Sequence, residues 1–103
     1  MENFDKKIAF IGCGNMGKAL ASAISAAGFG DDLLFCDHTM NKAQSLAEQL
    51  GGTASELEKI VKEGYFIFLA IKPQGLESLF SEISETLQTR QDRFILVTLA
   101  AVV

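Results

Sequence analysis

The sequence is short of the residues that staple small proteins or bind metals. Its 103 residues include two cysteines, Cys13 and Cys36, and one histidine, His38. There is no CxxC pattern, so neither a disulfide framework nor a metal site follows from spacing. Basic residues are also few: nine lysines and arginines stand against thirteen acids, a formal charge of −4. No basic cluster exceeds Lys6-Lys7, which excludes the footprint of a nucleic-acid binder. No apolar run approaches the roughly 20 residues that cross a bilayer. The opening Met1-Glu2-Asn3-Phe4-Asp5 lacks the charged-then-apolar layout of a signal peptide. Nor is there a linker, a repeat or a low-complexity segment. What is present is a single domain's worth of chain, 49% hydrophobic and 21% charged. Such a domain buries roughly 60–70% of its unfolded surface without staples, and a cytoplasmic location is the expectation.

The hydrophobic period switches regularly along the chain. Ile8 to Ile11 is a short apolar run bounded by Gly12 and reads as a buried strand. Met16, Ala19, Leu20, Ala23, Ile24 and Ala27 then recur at helical spacing, with Gly28 placed for a left-handed cap. Leu33 to Cys36 is a second strand. Ala43, Leu46, Ala47 and Leu50 mark a second helix, ending at Gly51-Gly52. Ser55-Glu56-Leu57-Glu58 has the form of a capping box, predicting a short helix with Leu57, Ile60 and Val61 inward and Gly64 as its stop. Tyr65 to Ile71 is the longest apolar run, ended by Lys72-Pro73. Leu76, Leu79, Phe80, Ile83 and Leu87 mark another helix, and Phe94 to Val97 a final buried strand. Uniformly apolar strands alternating with helices imply a parallel sheet covered on both faces. The expected fold is therefore a Rossmann-type, doubly wound α/β domain spanning residues 1–103.

Gly12-Cys13-Gly14-Asn15-Met16-Gly17 fits G-x-G-x-x-G directly after a strand and at the opening of a helix. In a dinucleotide site Gly12 permits the tight turn, Gly14 lets a pyrophosphate approach the backbone, and Gly17 allows helix and strand to pack closely. The alternative is a glycine-rich turn with no ligand. Asp37 lies 20 residues after Gly17, where an acid can accept hydrogen bonds from the adenosine ribose and repel a 2′-phosphate. It also reads as a turn aspartate capping the following helix. No arginine precedes Arg90, so the planar clamp for a 2′-phosphate is missing from this loop. His38, Thr39, Asn41 and Lys42 are the other groups within its reach. The choice between NAD(H) and NADP(H) stays open.

Three segments carry a family resemblance. Ile8 to Ala19 resembles the opening of pyrroline-5-carboxylate reductases, Leu69-Ala70-Ile71-Lys72-Pro73-Gln74 resembles their second signature, and Val97 to Val102 is similar to their third. The resemblance implies a Rossmann domain followed by a helical domain that forms the dimer and closes over the substrate. It implies reduction of the imine of 1-pyrroline-5-carboxylate to proline by NADPH or NADH. By position, Gly12, Gly14, Asn15, Met16 and Gly17 hold the pyrophosphate, and Asp37 and His38 lie at the adenosine. Ala70, Ile71, Lys72 and Pro73 line the cofactor towards its nicotinamide, and Ala100 and Ala101 lie beside that ring.

The sequence departs from the family at Val102, where glycine is usual, and in the loop Asp37 to Asn41. The family's helical domain, and with it the substrate contacts, is not expected within these residues. No catalytic residue is therefore expected in this chain, which should be inactive alone, and a homo-oligomer is expected only with the helical domain. Cys13 is either a thiol activated at a helix start or a small packing residue; Cys36 reads as core. Lys72 is either a proton donor or a strand-end lysine whose backbone matters more. His38 reads as a solvated loop residue or an adenosine contact, and the methionines and phenylalanines as core. Two other functions fit the same domain: a non-catalytic NAD(P) sensor and the amino-terminal domain of a β-hydroxyacid-type dehydrogenase.

Overall fold

The computed structural model describes residues 6–99. Five parallel strands form one sheet: β1 (Lys7–Ile11), β2 (Leu33–Cys36), β3 (Thr53–Ala54), β4 (Gly64–Leu69) and β5 (Ile95–Thr98). Their order is β3-β2-β1-β4-β5, so the winding reverses between β1 and β4. Four α-helices connect them: α1 (Asn15–Ile24), α2 (Met40–Leu50), α3 (Leu57–Glu63) and α4 (Pro73–Thr89). The doubly wound architecture expected from the alternating pattern is the one formed.

Side chains alternate across a strand, and the core divides accordingly. Ile8, Phe10, Leu33 and Phe35 join Ala21, Ala43, Leu46 and Ala47 on the α1–α2 face. Ala9, Ile11, Leu34, Cys36, Ile67 and Leu69 join Ile60, Val61, Leu79 and Ile83 on the α3–α4 face. On the first face Phe10 stacks between Phe35 and Phe68, at centroid separations of 5.8 and 4.9 Å. Arg90 closes the other end of the sheet. Its guanidinium is nearly buried and donates to the carbonyls of Val61 and Gly64 at 2.8 and 2.7 Å. It also pairs with Asp92 and lies over the Phe94 ring.

The structure departs from the sequence pattern in several places. The α1 helix is rotated: Gly17 and Ala21 are buried, while Ala19, Ala23 and Ala27 face solvent and Met16 is 54% exposed. The cause is Gly17, whose missing side chain lets this face, and not its neighbour, lie against Phe10 and Ala70. The helix continues as a wider turn over Ser25–Phe29, where Gly28 takes the expected left-handed conformation at φ 101°. The two-residue β3, unforeseen, pairs with β2 and draws the backbone N–H of Ser55 onto the Phe35 carbonyl. Glu56, not Ser55, therefore precedes α3, and no capping side-chain bond forms.

Strand β4 ends at Leu69 and does not extend through Ile71, because the Ala70 carbonyl turns onto the glycine loop. Finally, β5 is an edge strand, not a buried one. Ile95 and Leu96 are 43% and 36% exposed, since among the described residues only β4 flanks it. Phe29 and Phe80 are likewise partly exposed, so not every aromatic residue is core.

Candidate functional site

The reversal of winding opens a crevice beyond the carboxyl ends of β1 and β4, the position at which open α/β sheets bind ligands. Gly12 to Gly17 occupy it. Gly12 turns at φ 95°, a conformation costly for other residues, and its amide donates to the Cys36 carbonyl at 2.7 Å. A side chain on Gly12 would strike the Ala70 carbonyl and Ile71. A Cβ on Gly17 would stand 2.5 Å from that of Ala70. Gly14 differs: it is exposed, and a Cβ there would meet only the Ala70 carbonyl, at 3.3 Å. Two glycines are thus needed by the fold, whereas the third leaves an open cradle at the start of α1. The helix N-terminus behind that cradle presents unpaired N–H groups and a partial positive charge. This geometry fits a diphosphate.

Asp37 follows β2 and anchors the loop. One carboxylate oxygen accepts the Cys13 backbone N–H at 2.8 Å, and the other accepts that of Thr39 at 2.9 Å. The side chain thus ties its own turn to the glycine loop. A carboxylate offers about four acceptor positions, so two bonds leave capacity for ribose hydroxyls.

Burial pushes the Cys13 thiol up to about 11, and the nearby Asp37 charge adds to this. Cys36 is raised too, first by burial and then by Asp37. The two thiols join opposite core clusters, Cys36 towards α3 and α4 and Cys13 towards α1 and α2. For Cys13, the raised thiol and the packing against the α1–α2 cluster are the surroundings of a packing residue.

A cleft of about 360 Å³ continues from the loop across the α3–α4 side. Asp37, His38 and Ile71 line it. Sequence reasoning missed its other wall: Met40, Glu56, Leu57, Gly75, Ser78, Leu79 and Glu82. These come from three later elements, and only the reversed strand order of the fold could have signalled that they converge. Lys72 and Pro73 open α4, with Lys72 exposed at its N-cap and accepting the Gly75 amide on its carbonyl. Ala70 donates its amide to the Ile11 carbonyl, beneath the glycines. Asn15 lies instead in a second, polar cleft between α1 and α2, with Lys18, Asn41 and Lys42. Ala100 and Ala101 lie outside the described residues.

A protein-family profile described as NADP oxidoreductase, coenzyme F420-dependent, matches residues 7–101. The chain belongs to this family. It is homologous to the NAD(P)-binding domain of pyrroline-5-carboxylate reductases, as the three segments suggested. The pyrroline-5-carboxylate reductase of Escherichia coli strain K12 is 35% identical over 86 residues, covering 81% of this chain and 32% of that protein. A glyoxylate reductase of Pyrococcus furiosus is 32% identical over 99 residues, covering 96% of this chain and 28% of that protein. Among solved structures, a pyrroline-5-carboxylate reductase from Coxiella burnetii superposes with a TM-score of 0.82 at 20% identity, over 93% of this chain and 36% of that one. The chain therefore spans about a third of the length of the curated relatives it matches.

Proposed function

We propose that residues 1–103 are the dinucleotide-binding domain of an oxidoreductase that reduces 1-pyrroline-5-carboxylate to proline with NAD(P)H. The observation that carries this reading is the open cradle at Gly14, held between two sterically obligatory glycines at the start of α1. The identity to the Escherichia coli reductase supports the substrate class.

In this reading the backbone from Gly12 to Gly17, with Asn15 and Met16, binds the diphosphate. Asp37 accepts the ribose hydroxyls, and His38 lies beside the adenosine. Ala70, Ile71, Lys72 and Pro73 shape the path towards the nicotinamide, and Ala100 and Ala101 border that ring. The bound cofactor supplies the hydride. This chain orients the cofactor and excludes water from one side of it, while imine binding, protonation and dimer formation belong to a helical domain outside the sequence.

The test is an assay of the full-length gene product with pyrroline-5-carboxylate, and separately with glyoxylate, using NADH and NADPH. Turnover of the imine is expected, with residues 1–103 alone binding dinucleotide but showing no turnover. Reduction of glyoxylate and not of the imine would transfer the domain to a hydroxyacid dehydrogenase. Binding without either turnover by the full-length protein would favour a sensor.

A further inference from the structure

The two edges of the sheet are built differently. At one end β3 is two residues long, too short to hold a further strand. At the other, β5 runs from Ile95 to Thr98 without a bulge, and among the described residues it pairs with β4 alone. From Phe94 to Leu99 there is neither charge nor proline, the devices that keep exposed edges from pairing. Apolar side chains flank this edge on both faces. Ile95 and Val97 lie in register with Phe66 and Phe68 on the α1–α2 face, and Leu96 with Ile67 under α4. On α4, Glu82 and Thr86 line a groove against α3. Phe80 stands about 160° round the helix from Glu82, so this exposed ring faces away from α3, towards the β5 side.

We infer that two copies of this domain pair antiparallel through β5, joining their sheets into one. An antiparallel pair of identical strands is related by a twofold axis, so the edge is its own complement. The formal charge of −4 opposes association, but no charged group lies on the strand to meet its like across that axis. Pairing β5 of one copy with β3 of the next would build an open filament, and β3 is too short for it. A closed dimer is what remains. It also gives Phe80 a partner. The α4 helix crosses from β4 to β5, and strands pair about 4.8 Å apart, so the two α4 helices come within roughly 10 Å. That is the spacing of packed helices, with Phe80 of each copy between them. This contact is separate from the dimer assigned above to a helical domain, and it does not depend on the dinucleotide reading.

Sedimentation velocity of the 103-residue chain over a concentration series tests it. We expect the mass to rise from one chain to two, with a dissociation constant on the order of 10–100 µM, since a strand edge and one helix flank make a small interface. Ile95→Lys and Phe80→Lys, on opposite faces of the sheet, should each weaken the dimer by about tenfold or more. Both side chains are exposed, so the melting curves should stay near that of the wild type. In hydrogen exchange the outer amides of β5 should gain protection as concentration rises, while those of Thr53 and Ala54 should not. A wild type that stays monomeric would overturn the inference and leave the edge to a strand of different sequence. So would growth past two chains, a dimer that either lysine variant leaves unchanged, or exchange at β5 that is indifferent to concentration.

Discussion

Asp37→Ser tests the centre of the site, because the carboxylate has two separable jobs. Structurally it accepts the amides of Cys13 and Thr39. Serine is too short to hold both, so one amide turns to water or to a weaker partner, at a cost of roughly 1–2 kcal/mol. For a domain of this size that lowers the melting temperature by roughly 4–16 °C. Electrostatically, a 2′-phosphate about 6 Å from the carboxylate meets a repulsion near 3 kcal/mol per unit charge at an effective dielectric of about 20. Exposure of the site reduces this to roughly 1–3 kcal/mol, or about ten- to a hundredfold in affinity. Lys42, whose charge reaches Cys13 from the α1–α2 side, offsets part of it. The wild type should therefore bind NADH at least as tightly as NADPH. Asp37→Ser should weaken NADH and raise the NADPH/NADH affinity ratio by about tenfold or more. Titration with both cofactors, alongside a thermal melt, separates the two effects. A strong NADPH preference left unchanged by the substitution would show that Asp37 serves the loop alone and never faces the ribose.

Gly14→Val should abolish dinucleotide binding with little loss of stability, since its side chain would fill the cradle and not the core; calorimetry with NADH and circular dichroism read the two outcomes. Ala70→Val adds methyl groups where α1 has no room, and should cost roughly 1–3 kcal/mol by urea denaturation while weakening binding through a displaced loop. Arg90→Met strips the hydrogen bonds from two carbonyls under a nearly buried guanidinium. It should cost roughly 2–4 kcal/mol, a fall in melting temperature of roughly 8–32 °C, with dinucleotide affinity unchanged. Cys13 titrates near 11 against an ordinary value of 9.0, so the unfolded chain loses that proton first. Its contribution to stability is complete below about pH 9 and falls away between about 9 and 11. At pH 8 iodoacetamide should label Cys13 about a hundredfold more slowly in the folded chain than in urea.

The strand and helix order was legible because the central strands are apolar on both faces and most of the turns between elements carry glycine or proline. What escaped has physical causes. Thr53 and Ala54 join the sheet through main-chain bonds that leave no trace in side-chain pattern. A uniformly apolar run such as Ile95-Leu96-Val97 says that a strand forms, but not whether a neighbour lies on each side of it. Alanine is nearly indifferent to exposure, so the alanines of α1 defined a face that a single close contact at Gly17 overrode. The near wall of the cleft was readable as one continuous motif from Gly12 to Asp37. Its far wall was not, since Leu57 and Leu79 fit the helical core pattern equally well and Glu56 and Glu82 look like solvated helix residues.

The two most telling segments of the sequence are separated by more than fifty residues, yet the structure makes them one object. Ala70 is the common neighbour of all three glycines. Its carbonyl lies against the positions a side chain would take on Gly12 and Gly14, and its methyl group against that on Gly17. Its amide, bonded to the Ile11 carbonyl, fixes it to the strand that feeds the loop. Gly12 and Gly17 are small because Ala70 is already there, and Ala70 is small because α1 passes so close. Neither segment specifies the cradle alone. A glycine pattern without a small, turned-out residue at the end of the adjacent strand would leave the helix start unsupported, and a diphosphate would find no fixed row of amides. That mutual steric requirement is the physical reason why finding both segments in one chain argues for a dinucleotide site far more strongly than the glycines by themselves.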